Sequence, residues 1–258
     1  MPDLMAISRR VFIAGACAAA ASPACAGGLA LAAIVARNTA ARGGPRRLAA
    51  LRTMESQVRI TEQGQKLDGR YLAAADGMVR VDIFDAGQRV FSEGVDGGGV
   101  WSWPGGLAAP RAGSGDGKAA LLHGVLFNLV ALAGMPARGV KLALVPDPSE
   151  NGLHCIQLTL SDGFETRLYV SPKTWQVVKR EDRRAYHPDV ENTSKRIVSR
   201  FSDFRASQGV VSAWRSEDFD LTTGKMVGMG ETLALAWNVP TAGRIARSAA
   251  FPSPPVPG

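Results

Sequence analysis

The chain has 258 residues, 46% of them apolar and 21% charged, with a formal charge of +7 and three cysteines. This is ordinary globular composition, so a wholly disordered chain is excluded, and the length suits one or two domains. The basic residues are spread along the chain and form no dense block interleaved with aromatics, which argues against a nucleic-acid partner. A solvated basic surface, or contact with anionic lipid or an acidic partner, fits them.

Residues 1–26 read as an export signal. Arg9 and Arg10 lie in Ser8-Arg9-Arg10-Val11-Phe12-Ile13, an apolar run follows from Val11 to Ala21, and Ala24-Cys25-Ala26 has the small-x-small cleavage pattern. The full motif resembles the twin-arginine signal, which exports folded proteins, and it predicts a periplasmic location. An uncleaved anchor over Val11–Ala36, facing the periplasm, and lipidation at Cys17 or Cys25 stay open as alternatives. Cys155 is the only cysteine of the body, so no internal disulfide is available, and it reads as a small buried hydrophobe.

Leu29–Ala41 has a helical apolar face and stops at Gly43-Gly44-Pro45; Arg46–Arg52 is a short helical turn. Met54–Trp103 is a meander. Val58 and Ile60, then Val79, Val81 and Ile83, alternate with polar neighbours, as in half-buried antiparallel strands. Gln63-Gly64, Asp68-Gly69, Asp76-Gly77 and Ala86-Gly87 are predicted turns. Pro104–Lys118 reads as a loop. Its Gly117-Lys118 pair is no phosphate loop, because Ala112 and Ala119 stand where that motif needs Gly and Ser or Thr. Lys118–Ala133 is predicted as one helix, apolar nearly all round. Further strands follow from Val140 to Asn238, with turns at Ser161-Asp162-Gly163, Ser207-Gln208-Gly209 and Thr222-Thr223-Gly224.

The fold class predicted is mostly β with helices: a strongly curved antiparallel sheet of about 11 strands forming a half-open barrel. An N-terminal helix precedes it, and the internal helix acts as a lid in its mouth. Residues 27–240 form that domain and 241–258 a proline-rich flexible tail.

Several stretches resemble the outer-membrane lipoprotein carrier family, the LolA/LolB-like periplasmic lipid-binding fold. They are the helix-to-strand entry over Asn38–Ile60, Asp96-Gly97 to Trp101, Gly163 to Thr174 with its Tyr169-Val170, and Phe201–Lys225. The resemblance implies an unclosed barrel with a helical lid over an apolar cavity, binding an acyl chain without covalent chemistry.

The physics of burial leads the same way. Each buried CH₂ is worth ~0.8 kcal/mol, so an apolar pocket alone can hold an acyl chain. Trp101, Leu126, Leu129, Leu158, Leu168 and Trp214 are candidate wall and lid residues, and ordinary core is the leading alternative for each. His123, His154 and His187 are scattered, with no partner in sequence to make a catalytic or metal site, so no enzyme, cofactor or metal is expected. The predicted partner is a lipid or lipoprotein acyl chain, with a membrane or lipoprotein as its source. Recognition of polypeptide by an exported sensor on the same sheet is the alternative.

Overall fold

The computed structural model describes residues 29–247, apart from 63, 128, 149, 151, 188–190 and 242. The predicted signal, with Arg9 and Arg10, lies outside the described residues.

Two helices come first, α1 (Leu31–Ala41) and α2 (Pro45–Ala49). Six strands follow: β1 (Thr53–Glu62), β2 (Gln65–Ala74), β3 (Val79–Asp85), β4 (Gln88–Asp96), β5 (Gly99–Pro104) and β6 (Arg111–Ala112). A third helix, α3 (Gly115–Val125), leads to single 3₁₀ turns at Leu132–Gly134 and Pro136–Arg138. Seven more strands follow among the described residues: β7 (Lys141–Val145), β8 (His154–Thr159), β9 (Glu165–Val170), β10 (Val177–His187), β11 (Glu191–Ser207), β12 (Val210–Asp220) and β13 (Met226–Trp237).

All thirteen strands form one sheet in the order β6-β5-β4-β3-β2-β1-β13-β12-β11-β10-β9-β8-β7. Each pairing is antiparallel, and within each run of hairpins sequence neighbours lie side by side. At Gln208-Gly209, φ is 48° and 75°, the two positive values that a two-residue hairpin turn matching strand twist requires. The two runs of hairpins are joined only where β1 meets β13, with Met54 opposite Trp237 and Ile60 opposite Gly230.

This overturns the predicted fold class. The sheet has thirteen strands rather than about 11, and it is open, neither closed nor strongly curled into a half-open barrel. Its edges, β6 and β7, do not pair with each other. The apolar face is covered by other elements instead of by the sheet itself. α1 and the 126–135 segment cover Ile156, Leu158, Leu168 and Val170, forming one core. α2, Val125 and Leu129 cover Ala73, Val79, Val210 and Trp237, forming a second. With that apolar area already removed from water, closure would bring no further burial. The missed strands lay in stretches read as punctuation. β6 falls in the predicted loop, and β2 runs straight through the predicted Asp68-Gly69 turn. Gly69 sits in β2 because a Cβ there would lie 2.7 Å from Val58 Cγ2, so its role is close approach and not a bend.

The predicted helix Lys118–Ala133 is also corrected: it runs only from Gly115 to Val125. A continuous helix apolar all round would have to be surrounded. The break at Leu126 lets Leu126, Leu132 and Met135 reach the first core while Val125 and Leu129 reach the second. α3 packs on β10 and β11 and also touches β4 and β5. It is tied at both ends. Asp116 accepts hydrogen bonds from Ser194 N (2.8 Å) and Ser194 Oγ (2.6 Å). His123 Nε2 lies 2.7 Å from Asp162 Oδ2, with its ring stacked on Phe164 at 3.9 Å.

Within the stretch predicted as a flexible tail, residues 243–247 are pinned to the sheet. Ile245 is buried, Arg244 Nη2 reaches Glu55 at 2.7 Å, and Arg247 Nη2 reaches Asp96 at 2.7 Å. Residues 248–258 lie outside the described residues.

Candidate ligand cleft

The chain between α3 and β7 does not seal against the sheet everywhere. Phe127, Val130, Leu132 and Met135 form one wall of a cleft of about 240 Å³. The sheet supplies the opposite wall: Leu168 from β9, Val177 and Arg180 from β10, Phe201 and Phe204 from β11, and Val211 to Ala213 from β12. Arg42 and Gln176 complete the rim. A second hollow, about 510 Å³, lies under α2 and is lined by Leu48, Leu51, Leu129 and Gly134; Val130 borders both.

The wall carrying Arg42 is held by buried amides. Asn38 Nδ2 donates to Trp175 O at 2.7 Å, and Gln176 Nε2 donates to Ala41 O at 3.1 Å, so α1 is fastened to the turn before β10. Arg42 caps α1, its amide donating to Asn38 O at 3.0 Å, and its own carbonyl accepts from Val211 N at 3.1 Å.

The electrostatics of the cleft are uneven. Arg180 Nη2 is 2.5 Å from Asp182 Oδ2 and its guanidinium lies over the Phe127 ring at 4.3 Å. Burial pushes Arg180 below the usual arginine range and Asp182 opposes that shift. Asp182 also takes Arg184 and the Thr166 hydroxyl, so its lone pairs are committed. Arg42 is different. Burial alone lowers its pKa, and among the described residues no carboxylate pairs with its guanidinium. Ser212 Oγ is likewise buried with no hydrogen-bond partner among the described residues.

The six predicted wall residues are scattered relative to this cleft. Leu168 lines it, and Leu126 packs beside it on the first core. Leu158 is fully buried in that core, and Leu129 belongs to the second core and lines the hollow under α2. Trp101 is fully buried on β5 and borders a separate hollow of about 250 Å³ with Arg111 and Lys118. Trp214, on β12 and half-buried under Arg205, does not line the cleft. Sequence reading missed Arg42, Phe127, Phe201 and Phe204. The last two are three residues apart, which strict alternation would place on opposite faces. Asp203, at φ 52°, interrupts the pairing between Ser202↔Arg215 and Phe204↔Ala213, and both phenylalanines line the cleft.

Among the described residues no group of three or more His, Cys, Asp or Glu side chains could hold a metal ion, and no helix is long and apolar enough to cross a membrane. Cys155 is buried and free, its thiol pushed up by burial.

No family model matches the chain. No curated protein matches it either. Solved structures do. A DUF1329 family protein from Desulfovibrio piger is 13% identical, with a TM-score of 0.53 over 81% of this chain and 93% of that one. A LolA superfamily protein from Nitrosomonas europaea is 14% identical, with a TM-score of 0.53 over 84% and 98%. A putative outer membrane lipoprotein-sorting protein domain from Vibrio parahaemolyticus is 11% identical, with a TM-score of 0.52 over 80% and 91%. The chain thus has the fold of the LolA-superfamily and lipoprotein-sorting structures, over most of its own length and nearly all of theirs.

Proposed function

We propose that the protein is a non-enzymatic periplasmic binding protein that holds a lipid or lipoprotein acyl chain, as part of lipid or lipoprotein traffic. The observation that carries this reading is the cleft between Phe127–Met135 and β9–β12, mainly apolar on both walls and open to solvent. Burying five or six methylenes there would yield about 4–5 kcal/mol before the cost of ordering the chain. The likeness to a lipoprotein-sorting domain and a LolA superfamily protein supports it. Export would depend on Arg9 and Arg10.

Native mass spectrometry of protein purified from a bacterial periplasm is the test, with fluorescent fatty-acid displacement beside it. Retained lipid, or a displaceable probe lost on Phe201→Asp, is the expected result. Delipidated protein that takes up no acyl probe, and that carries none when isolated, would overturn the reading. Replacing Arg9 and Arg10 by lysine should leave the protein in the cytoplasm if the twin-arginine route is used.

A further inference from the structure

The cleft carries a charge that no described carboxylate answers. Elsewhere several arginines of the sheet and its covering segments are matched. Arg80 Nε sits 2.9 Å from Asp82 Oδ2, Arg70 and Arg244 both reach Glu55, and Arg180 and Arg184 share Asp182. Arg42, half-buried at the rim of the cleft, has no such partner among the described residues. A desolvated charge without a counter-ion is costly, and proteins rarely keep one for stability. On the same cleft, Ser212 Oγ is buried and unpartnered, a hydroxyl able to donate one hydrogen bond.

Resting on the acyl-chain reading above, we infer that the occupant is a free fatty acid, its carboxylate paired with Arg42 and hydrogen-bonded by Ser212, its chain lying between Phe127 and Phe201. Three observations select this class. Among the described residues the cleft keeps one uncompensated positive charge, since Asp182 and Asp218 together balance Arg180 and Arg184, and a monoanion balances one charge. A cationic head would find no free carboxylate, because Asp182 is already bound by Arg180, Arg184 and Thr166. The volume of about 240 Å³ lies below the roughly 300–1,000 Å³ of pockets that engulf drug-sized ligands, so it suits part of one chain and not a two-chain lipid. A planar carboxylate also matches the fork of a guanidinium.

The test is isothermal titration of delipidated protein with palmitate and with hexadecanol, both below their aggregation limits. The proteins compared are the natural chain, Arg42→Met, Arg42→Lys and Ser212→Ala. The natural chain should prefer palmitate by on the order of 30-fold, the strength of one charge-assisted contact. Arg42→Met should abolish that preference by weakening palmitate far more than hexadecanol, Arg42→Lys should restore part of it, and Ser212→Ala should reduce it several-fold. Equal affinity for the two ligands in the natural chain, or a preference that survives Arg42→Met, overturns the headgroup assignment and leaves acyl binding standing. Failure of both ligands to bind overturns the acyl-chain reading as well.

Discussion

Asn38 is fully buried in α1, and its Nδ2 donates to the carbonyl oxygen of Trp175, 137 residues later, at 2.7 Å. With the Gln176–Ala41 bond, it fastens α1, which Arg42 caps, to the turn before β10. Asn38→Ala removes the donor and leaves the Trp175 carbonyl without its partner, at a cost of about 1–3 kcal/mol. Urea denaturation should show a lower midpoint with an unchanged slope. Acyl-chain affinity should fall too, since the Arg42 wall is then held by Gln176 and Val211 alone.

The same substitution at two glycines should have opposite signs. A Cβ at Gly94 would stand 2.2 Å from Val79 O and 2.8 Å from Trp101 Cζ2, both rigid, so Gly94→Ala should destabilise by about 3 kcal/mol. A Cβ at Gly124, inside α3, meets nothing within 4 Å. Gly124→Ala should stabilise by roughly 0.5–1 kcal/mol through reduced freedom of the unfolded chain. Chemical denaturation of both variants checks the pair.

Acid should release the segment around Ile245. The Arg247 side-chain hydrogen bond is the main reason Asp96 sits at about 2 rather than its ordinary 3.8, with backbone donors from Arg247 and Gly98 adding to it. A carboxylate lowered in this way stabilises the fold above its unfolded value, and that gain is lost as pH falls through the folded value. The window is therefore from about pH 4 down to pH 2. Asp96→Asn should cost about 1–2 kcal/mol at pH 6, allowing for the water that reaches Arg247, and the difference from the natural chain should shrink towards zero by pH 2.

Core and cleft can be separated by truncation. Leu158 is fully buried among Ile34, Ile156 and Val170, so Leu158→Ala should cost about 2–5 kcal/mol without a specific effect on ligand. Phe201→Ala, on the cleft wall, should instead weaken acyl binding with a smaller loss of stability. Thermal melts and fluorescent displacement on both proteins distinguish the roles.

The strands were legible because alternation survives wherever one face is covered: Val79, Val81 and Ile83 announced β3, and Gln208-Gly209 announced its hairpin. The sheet's overall form was not, because it depends on what covers it. Nothing local in the run from Lys118 to Ala133 says that its two sides belong to two separate cores, so a single helix was expected where the chain breaks at Leu126. Gly69 illustrates the same limit, since Asp-Gly reads as a turn until Val58 is known to press against it. The cleft was the least legible part. Leucines and tryptophans stand out by their bulk, whereas Arg42 stands out only because no described carboxylate pairs with it, and no stretch of sequence displays a missing contact.

The pairing of β1 with β13 has a consequence for how this molecule is made. The two hairpin runs can each form from near neighbours, but stitching them together waits for residues around Trp237, more than 180 positions after Met54. Such a distant closure is slow, because the entropy of a long loop must be overcome before any bond rewards it. A ribosome would have released almost the whole chain before the middle of the sheet could exist, leaving both half-sheets with a raw central edge for that interval.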